Sequence, residues 1–217
     1  MSLVKEIQDI GVVAVIRGAD ESNILTIAKS LQAGGVTALE ITMETPKVLS
    51  LIEKVASEMP DVMVGAGTVL DPETARAAIM AGSKFIFSPT VNIETIRMTK
   101  RYGAVSIPGA MTPTEILTAY EHGADMIKVF PANIVGPGYF KDIHGPLPHI
   151  PLMATGGISL DNVGDFIRAG AVAVGAGSTL INTKVELTEE HCRHVTETAT
   201  NFIRRVEQAR GGQYEKV

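Results

Sequence analysis

Short apolar runs recur along this chain at intervals of about 20–25 residues, the spacing of repeated strand–helix units. Eight can be read: VVAVIR (12–17), ALEIT (38–42), VMVGAGT (62–68), FIFSP (85–89), AVSIPG (104–109), MIKVFP (126–131), PLMATGG (151–157) and AVAVGAG (171–177). Together they are rich in Val, Ile and Ala, and most end in Gly, Pro, Ser or Thr. Uninterrupted apolar runs of this length fit parallel strands that are covered on both faces.

Helical patterns fill the gaps, and their starts are readable. Asp71-Pro72-Glu73 places an N-cap before a proline at the first helical position. Thr112-Pro113-Thr114-Glu115 repeats this and adds a capping-box glutamate. Thr45-Pro46 and Ser159-Leu160-Asp161 read as similar starts. Stops are expected at Gly34-Gly35, Gly82, Gly103, Gly123 and Gly170. A final helix is expected over about residues 187–210. No linker, charge block or low-complexity segment divides the chain. Residues 1–217 therefore read as one α/β domain, a small (β/α)8 TIM barrel with a C-terminal helix. A doubly wound open sheet is the alternative. It would need a stronger phosphate fingerprint after the first strand than Arg17-Gly18-Ala19 provides.

Composition narrows the function. A hydrophobic fraction of 45% over 217 residues can bury a full core. The net charge of -5 comes from mixed charges, which disfavours nucleic-acid and membrane partners. Aromatic residues make up 5% with no tryptophan, which argues against stacking platforms for bases or sugars. One cysteine, Cys192, forbids an internal disulfide and fits a reducing, cytoplasmic setting. No apolar run approaches the roughly 18 residues of a membrane span. MSLVKEIQDIGVV lacks the regions of a signal peptide.

Three charged residues sit on the strands. Alternation puts Val13, Val15 and Arg17 on one face of the first run, and Ala38, Glu40 and Thr42 on one face of the second. In the sixth, Met126, Lys128 and Phe130 share a face, with Ile127 and Val129 opposite. The pairs Leu39/Ile41 and Ile127/Val129 belong in the apolar strand–helix layer, so Arg17, Glu40 and Lys128 are expected to point into the barrel. All three lie toward strand C-termini, where barrel enzymes carry their chemistry. Thr68, Ser88, Thr155 and Ser178 add hydroxyls near that rim.

A lysine lodged between Met126 and Phe130 loses hydration, and a nearby Arg17 lowers its pKa further. Such an amine attacks ketones and forms a Schiff base, which then acts as an electron sink for carbon–carbon cleavage. Glu40 is placed to shuttle protons for carbinolamine formation and hydroxyl departure. A structural Lys128–Glu40 ion pair is the competing reading. Glycosidase chemistry is set aside because it needs two central carboxylates and only Glu40 is so placed.

Ala154-Thr155-Gly156-Gly157-Ile158-Ser159 and Val174-Gly175-Ala176-Gly177-Ser178 each join a late strand to an expected helix start. Barrels commonly bind phosphate there, through backbone N–H groups at a helix N-terminus. Ordinary glycine turns are the alternative.

The motifs VVAVIRG (12–18), LEITM (39–43), VGAGTVL (64–70), SP (88–89), IPG (107–109), IKVFPA (127–132) and TGGISLDN (155–162) resemble a known family. It is the class I aldolases that split 2-keto-3-deoxy-6-phosphogluconate, including members that also act on 4-hydroxy-2-oxoglutarate. The likeness runs from about Gly11 to Thr183. It implies that Lys128 forms a Schiff base with pyruvate and that Glu40 is the general acid/base. It implies further that Thr68 holds the pyruvoyl group, that Pro89 and Phe130 shape the pocket, and that Thr155, Gly156, Gly157, Gly177 and Ser178 line a distal phosphate or acid site. A small keto acid substrate, a homotrimer, no cofactor and no metal follow from the same resemblance. GPGYFKDIHGPLP (136–148) also resembles the family but carries no assigned chemistry.

One position departs from the pattern. Many phosphogluconate-type members carry an arginine four residues after the glutamate, to hold the pyruvate carboxylate. Here that residue is Glu44. Galactonate-type relatives lack that arginine and use one at the end of the first strand, which is Arg17. Glu44 is accordingly expected to turn outward and Arg17 to clamp the carboxylate.

Smaller signals carry less. His191 and His194 could share a helix face, but two ligands do not make a metal site. The scattered methionines read as core filler. His144 and His149 fall in a Pro/Gly-rich stretch and read as loop residues. Two other functions compete with the aldolase: a phosphate-binding barrel of different chemistry, such as an epimerase or a thiamine-phosphate synthase-like transferase, and an inactive anion binder. The first would need paired aspartates or a pyrophosphate clamp at the strand ends. The second predicts an ordinary lysine at 128.

Overall fold

Every one of the eight apolar runs contributes to a single parallel sheet in the computed structural model, which describes residues 2–211. The strands are β1 (Val12–Ile16), β2 (Ala38–Thr42), β3 (Met63–Gly67), β4 (Phe85–Phe87), β5 (Val105–Ile107), β6 (Gly109–Ala110), β7 (Ile127–Val129), β8 (Leu152–Thr155) and β9 (Ala173–Ala176). Their order is β5-β4-β3-β2-β1-β9-β8-β7-β6. The two ends of that list, β5 and β6, are one stretch of chain interrupted at Pro108, which has no N–H to give to a ladder. β5 pairs with β4 and β6 pairs with β7, so the ring closes through Pro108, whose carbonyl accepts from Lys128 N at 2.9 Å. The barrel therefore has eight positions, as the run spacing predicts.

Helices follow the strands: α1 (Leu3–Ile10), α2 (Ile24–Ala33), α3 (Val48–Glu58), α4 (Pro72–Met80), α5 (Ile93–Arg101), α6 (Pro113–Glu121), α7 (Ala132–His144), α8 (Val163–Arg168) and α9 (Glu189–Gly211). Two starts form as read. Asp71 accepts from Thr74 N at 2.6 Å, and Thr112 and Glu115 complete a capping box. Two do not. Thr45 is no cap: its buried hydroxyl accepts from Gly18 N at 3.1 Å, and α3 begins after Lys47. Ser159 opens a turn, and α8 begins after Asn162. The stretch 136–144 is also helical rather than loop. It belongs to α7, which kinks at Gly136, so His144 sits in that helix's last turn.

Packing forms two layers. Leu39, Ile41, Ile127 and Val129 of the strands share one apolar layer with Leu31, Phe140, Phe166 and Phe202 of the helices. Inside the barrel lie Val13, Ala38, Met63, Phe85, Phe87, Val105, Ile107, Met126, Met153 and Ala173. This inner cluster is sealed at the strand N-termini by α1, whose Ile7 is fully buried in it. Helix α1 was not read from the sequence. It closes one end of the barrel, which leaves the C-terminal end for a site. No helix among the described residues is long and apolar enough to cross a membrane.

Candidate active site

At the C-terminal ends of the strands lies a cavity of about 250 Å³. Arg17, Glu40, Thr68, Pro89, Lys128, Phe130, Thr155, Gly156, Gly157, Gly177 and Ser178 all line it. The structure thus gathers these eleven residues, singled out from the sequence, around one space. It adds Val15, Ile158, Gly175 and Thr179. Val15 was legible from alternation, since it shares a face with Arg17. Thr179 was not: its hydroxyl donates to Ile158 O at 2.6 Å and ties the two glycine loops together. Ser88 is buried and does not reach the cavity.

Glu40 and Lys128 are the two buried charged side chains among the described residues, 1% and 6% exposed. Each is delivered by its strand. β2 turns Leu39 and Ile41 outward, so Glu40 must point in; β7 does the same with Ile127 and Val129 around Lys128. Burial pushes the Glu40 carboxyl up to about 7, against the pull of Lys128 and Arg17, with Glu44 adding to the rise. Burial likewise holds the Lys128 ammonium below its ordinary value; Glu40 opposes this and Arg17 assists it. The Lys128 Nζ stands 4.9 Å from the ring centre of Phe130 and 5.4 Å from that of Phe87. No ion pair within 4 Å joins Lys128 to Glu40 among the described residues, which disfavours the structural-pair reading.

Two polar atoms on the wall have no protein partner. Glu40 Oε2 and Thr155 Oγ1 are buried without a hydrogen bond. Buried polar groups are normally paired, so two orphans on one cavity mark a place for a polar ligand. Thr68 adds a backbone signature: its φ of 57° is left-handed, a conformation costly for a β-branched residue.

Arg17 is placed differently from the expectation. It lies just beyond β1 at the rim, with a side chain 68% exposed, instead of inside the barrel. Alternation fixes a face but not a depth, and Arg17 is the residue at which the strand has already ended. Glu44 is exposed, as expected, but its carboxylate lies 3.8 Å from the Arg17 guanidinium. The glycine loops also need correction. Neither runs directly into a helix: Gly177 opens a single turn closed by Leu180 N and Ile181 N, and α9 begins only at Glu189. The lining comes from the loops themselves.

A wider groove of about 620 Å³ adjoins the cavity and shares Pro89 and Phe130 with it. Its two carboxylates are committed locally, Glu94 to Arg97 at 2.8 Å and Glu115 to its capping box. His191 and His194 have ring centres 6.5 Å apart on α9. Among the described residues, no group of three or more potential ligands is placed to hold a metal ion.

Comparison with known proteins agrees with this geometry. The family model for KDPG and KHG aldolase matches residues 3–198. A 2-dehydro-3-deoxy-phosphogluconate aldolase of Pseudomonas aeruginosa is 38% identical over 181 residues, 83% of this chain and 81% of that protein. A 2-dehydro-3-deoxy-6-phosphogalactonate aldolase of Escherichia coli is 35% identical over 170 residues, 77% of this chain and 83% of that protein. Among solved structures, the KDPG aldolase of Legionella pneumophila with pyruvate captured as a covalent carbinolamine superposes with a TM-score of 0.84 at 27% identity, covering 92% of this chain and 97% of that one. A buried lysine and carboxyl in a barrel mouth, a matching family model over most of the length and relatives above 30% identity lead to one assignment: the chain belongs to the KDPG and KHG aldolase family.

Proposed function

We propose that this protein is a Schiff-base aldolase that cleaves a 2-keto-3-deoxy-6-phospho sugar acid to pyruvate and D-glyceraldehyde 3-phosphate. The observation that carries the reading is the pairing of Lys128, held below its ordinary pKa, with Glu40, raised to about 7, on one cavity. Neutral Lys128 attacks the C2 ketone to give a carbinolamine. Glu40, protonated, gives its proton to the carbinolamine hydroxyl, which leaves as water, and the iminium forms. Glu40, now a carboxylate, accepts the C4 hydroxyl proton as the C3–C4 bond breaks. The bond's electron pair moves into the iminium as an enamine, and the aldehyde departs. Protonation at C3 and addition of water then release pyruvate and restore the amine.

The remaining roles follow from position. Arg17 holds the keto acid carboxylate at the rim, and Thr68 the pyruvoyl oxygen. Phe130 and Pro89 form the wall around Lys128. Thr155, Gly156, Gly157, Gly177 and Ser178 receive the distal phosphate through hydroxyls and backbone N–H groups. The carboxylate-binding arginine at position 17, with Glu44 where phosphogluconate-type relatives carry theirs, favours a galactonate-type substrate as the second reading. Cleavage of 4-hydroxy-2-oxoglutarate to pyruvate and glyoxylate is the family's other reaction. A cytoplasmic homotrimer completes the reading, and light scattering tests the trimer.

Borohydride treatment with pyruvate, followed by intact-protein mass spectrometry, tests the chemistry. A pyruvate-sized adduct on the wild type and none on Lys128→Met is the expected result. No adduct on the wild type would remove the Schiff base and the lyase with it.

A further inference from the structure

We infer that Glu44 tunes the hold of this site on the keto acid carboxylate: it stands as a loose ion-pair partner of Arg17, and the carboxylate must take that arginine from it. The inference rests on the reading of Arg17 as the carboxylate clamp. Both residues leave neighbouring parallel strands at the same end, Arg17 just past β1 and Glu44 in the loop after β2. The two loops are held to each other below the side chains. Gly18 N donates to Thr45 Oγ1 at 3.1 Å, which ties the two loops, and the Thr183 hydroxyl, from the segment after β9, donates to the Arg17 carbonyl. The backbones are thus tied while the charged ends remain exposed, 68% for Arg17 and 50% for Glu44.

The pair is loose. Its Nη2–Oε1 separation of 3.8 Å exceeds hydrogen-bond length, so Glu44 neutralises the guanidinium without engaging its two-pronged donor face. A substrate carboxylate can offer both oxygens in the plane of that fork, which a loosely placed Glu44 does not. Arg17 lines the cavity and Glu44 is outside its lining, so the exchange draws Arg17 from a solvent-side partner to a cavity-side one. Each binding event then gains only the difference between the two pairings. Pyruvate, which has no distal group for the glycine loops, depends on Arg17 most, and Glu44 weakens its hold. Recapture of Arg17 by Glu44 also favours pyruvate release after cleavage. An arginine at position 44 would add a cation where this chain adds a competitor.

Exposed ion pairs are worth little individually, so the effect is modest: about a two- to fivefold change in pyruvate KM. The test is a double-mutant cycle of Glu44→Gln and Arg17→Met, with pyruvate KM and kcat measured in the aldol direction and borohydride trapping on all four proteins. Glu44→Gln should lower pyruvate KM, with the change in KM rather than kcat, and the benefit should vanish in the Arg17→Met background. Unchanged KM in Glu44→Gln overturns the inference, as does an equal gain with and without Arg17, which would be general repulsion. Unchanged KM in Arg17→Met alone removes the clamp and the inference together. Adducts on all four proteins leave the Schiff-base reading standing in each of these cases, whereas no adduct on the wild type would bring down both.

Discussion

The carboxylate of Glu40 lies against the α-carbon of Gly67 on the neighbouring strand: a Cβ at Gly67 would stand 2.6 Å from Glu40 Cδ. β2 and β3 pair with Glu40 opposite Gly65 and Thr42 opposite Gly67, so the carboxylate reaches Gly67 diagonally, two residues further along β3. The same strand repeats the device one step earlier, where a Cβ at Gly65 would collide with the ring of Phe85. The two glycines of VGAG are therefore spaces for two specific side chains, one in the inner core and one in the site. Gly67→Ala should displace Glu40 and cut kcat by about 100-fold, the low end of what a general acid/base contributes. Gly138→Ala, which meets nothing within 4 Å, is the control and should leave kcat at the wild-type level. A wild-type kcat in Gly67→Ala would show that Glu40 does not depend on this space.

The strands, and the faces they present, were legible because burial on both sides leaves an uninterrupted apolar run. The alternation of Leu39 and Ile41 with Ala38 and Glu40 then divides helix layer from interior. What escaped the sequence was set by tertiary contact. Thr45 has the residue type of a helix cap, but a backbone N–H 27 positions away takes its hydroxyl. The depth of Arg17 depends on where β1 stops, one residue before it. Helix α1 did carry a signal, with Leu3, Val4, Ile7 and Ile10 at helical spacing, but nothing local says that its apolar face plugs a barrel.

Arg210 locks that plug. From α9 its guanidinium donates to Asp9 O at 2.8 Å, to Val172 O at 3.0 Å and to the carbonyl of Gln8. These are two of the last carbonyls of α1, left without intrahelical partners, and one at the entry to β9. A cation there also meets the negative end of the helix. Arg210→Met should lower unfolding stability by about 2 kcal/mol, the scale of losing charge-assisted hydrogen bonds to part-buried acceptors. Urea midpoints check it, and a midpoint equal to wild type would show that α1 is held by Ile7 packing alone.

Arg17→Lys keeps the charge and removes the fork. An ammonium at the rim makes a point contact where the guanidinium makes two parallel hydrogen bonds. Pyruvate KM should rise roughly tenfold, about 1.4 kcal/mol, with a smaller change in kcat. If pyruvate KM stays put, Arg17 is not the carboxylate's partner.

Lys128→Met separates chemistry from stability. The amine is buried, its ammonium is disfavoured there, and a methionine fills similar volume without a charge. The variant should lose all borohydride trapping and unfold at a higher temperature than wild type at pH 7. Its pH profile carries a second expectation. Glu40 is raised from its unfolded value to about 7 in the folded chain, so the folded state binds more protons across that interval. Stability conferred by the neutral carboxyl is therefore fully present below about pH 4.5 and is lost as pH rises through about 7, by about 3 kcal/mol in all. Lys128 is the largest influence pulling Glu40 down, so removing it lifts the carboxyl further. Urea midpoints of Lys128→Met measured from pH 5 to 9 should keep falling above pH 7, where the Glu40-linked loss in wild type has levelled off. A profile that levels at the same pH in both proteins would mean that Lys128 and Glu40 are not electrostatically coupled, and that the acid/base pair proposed for the reaction acts as two independent groups.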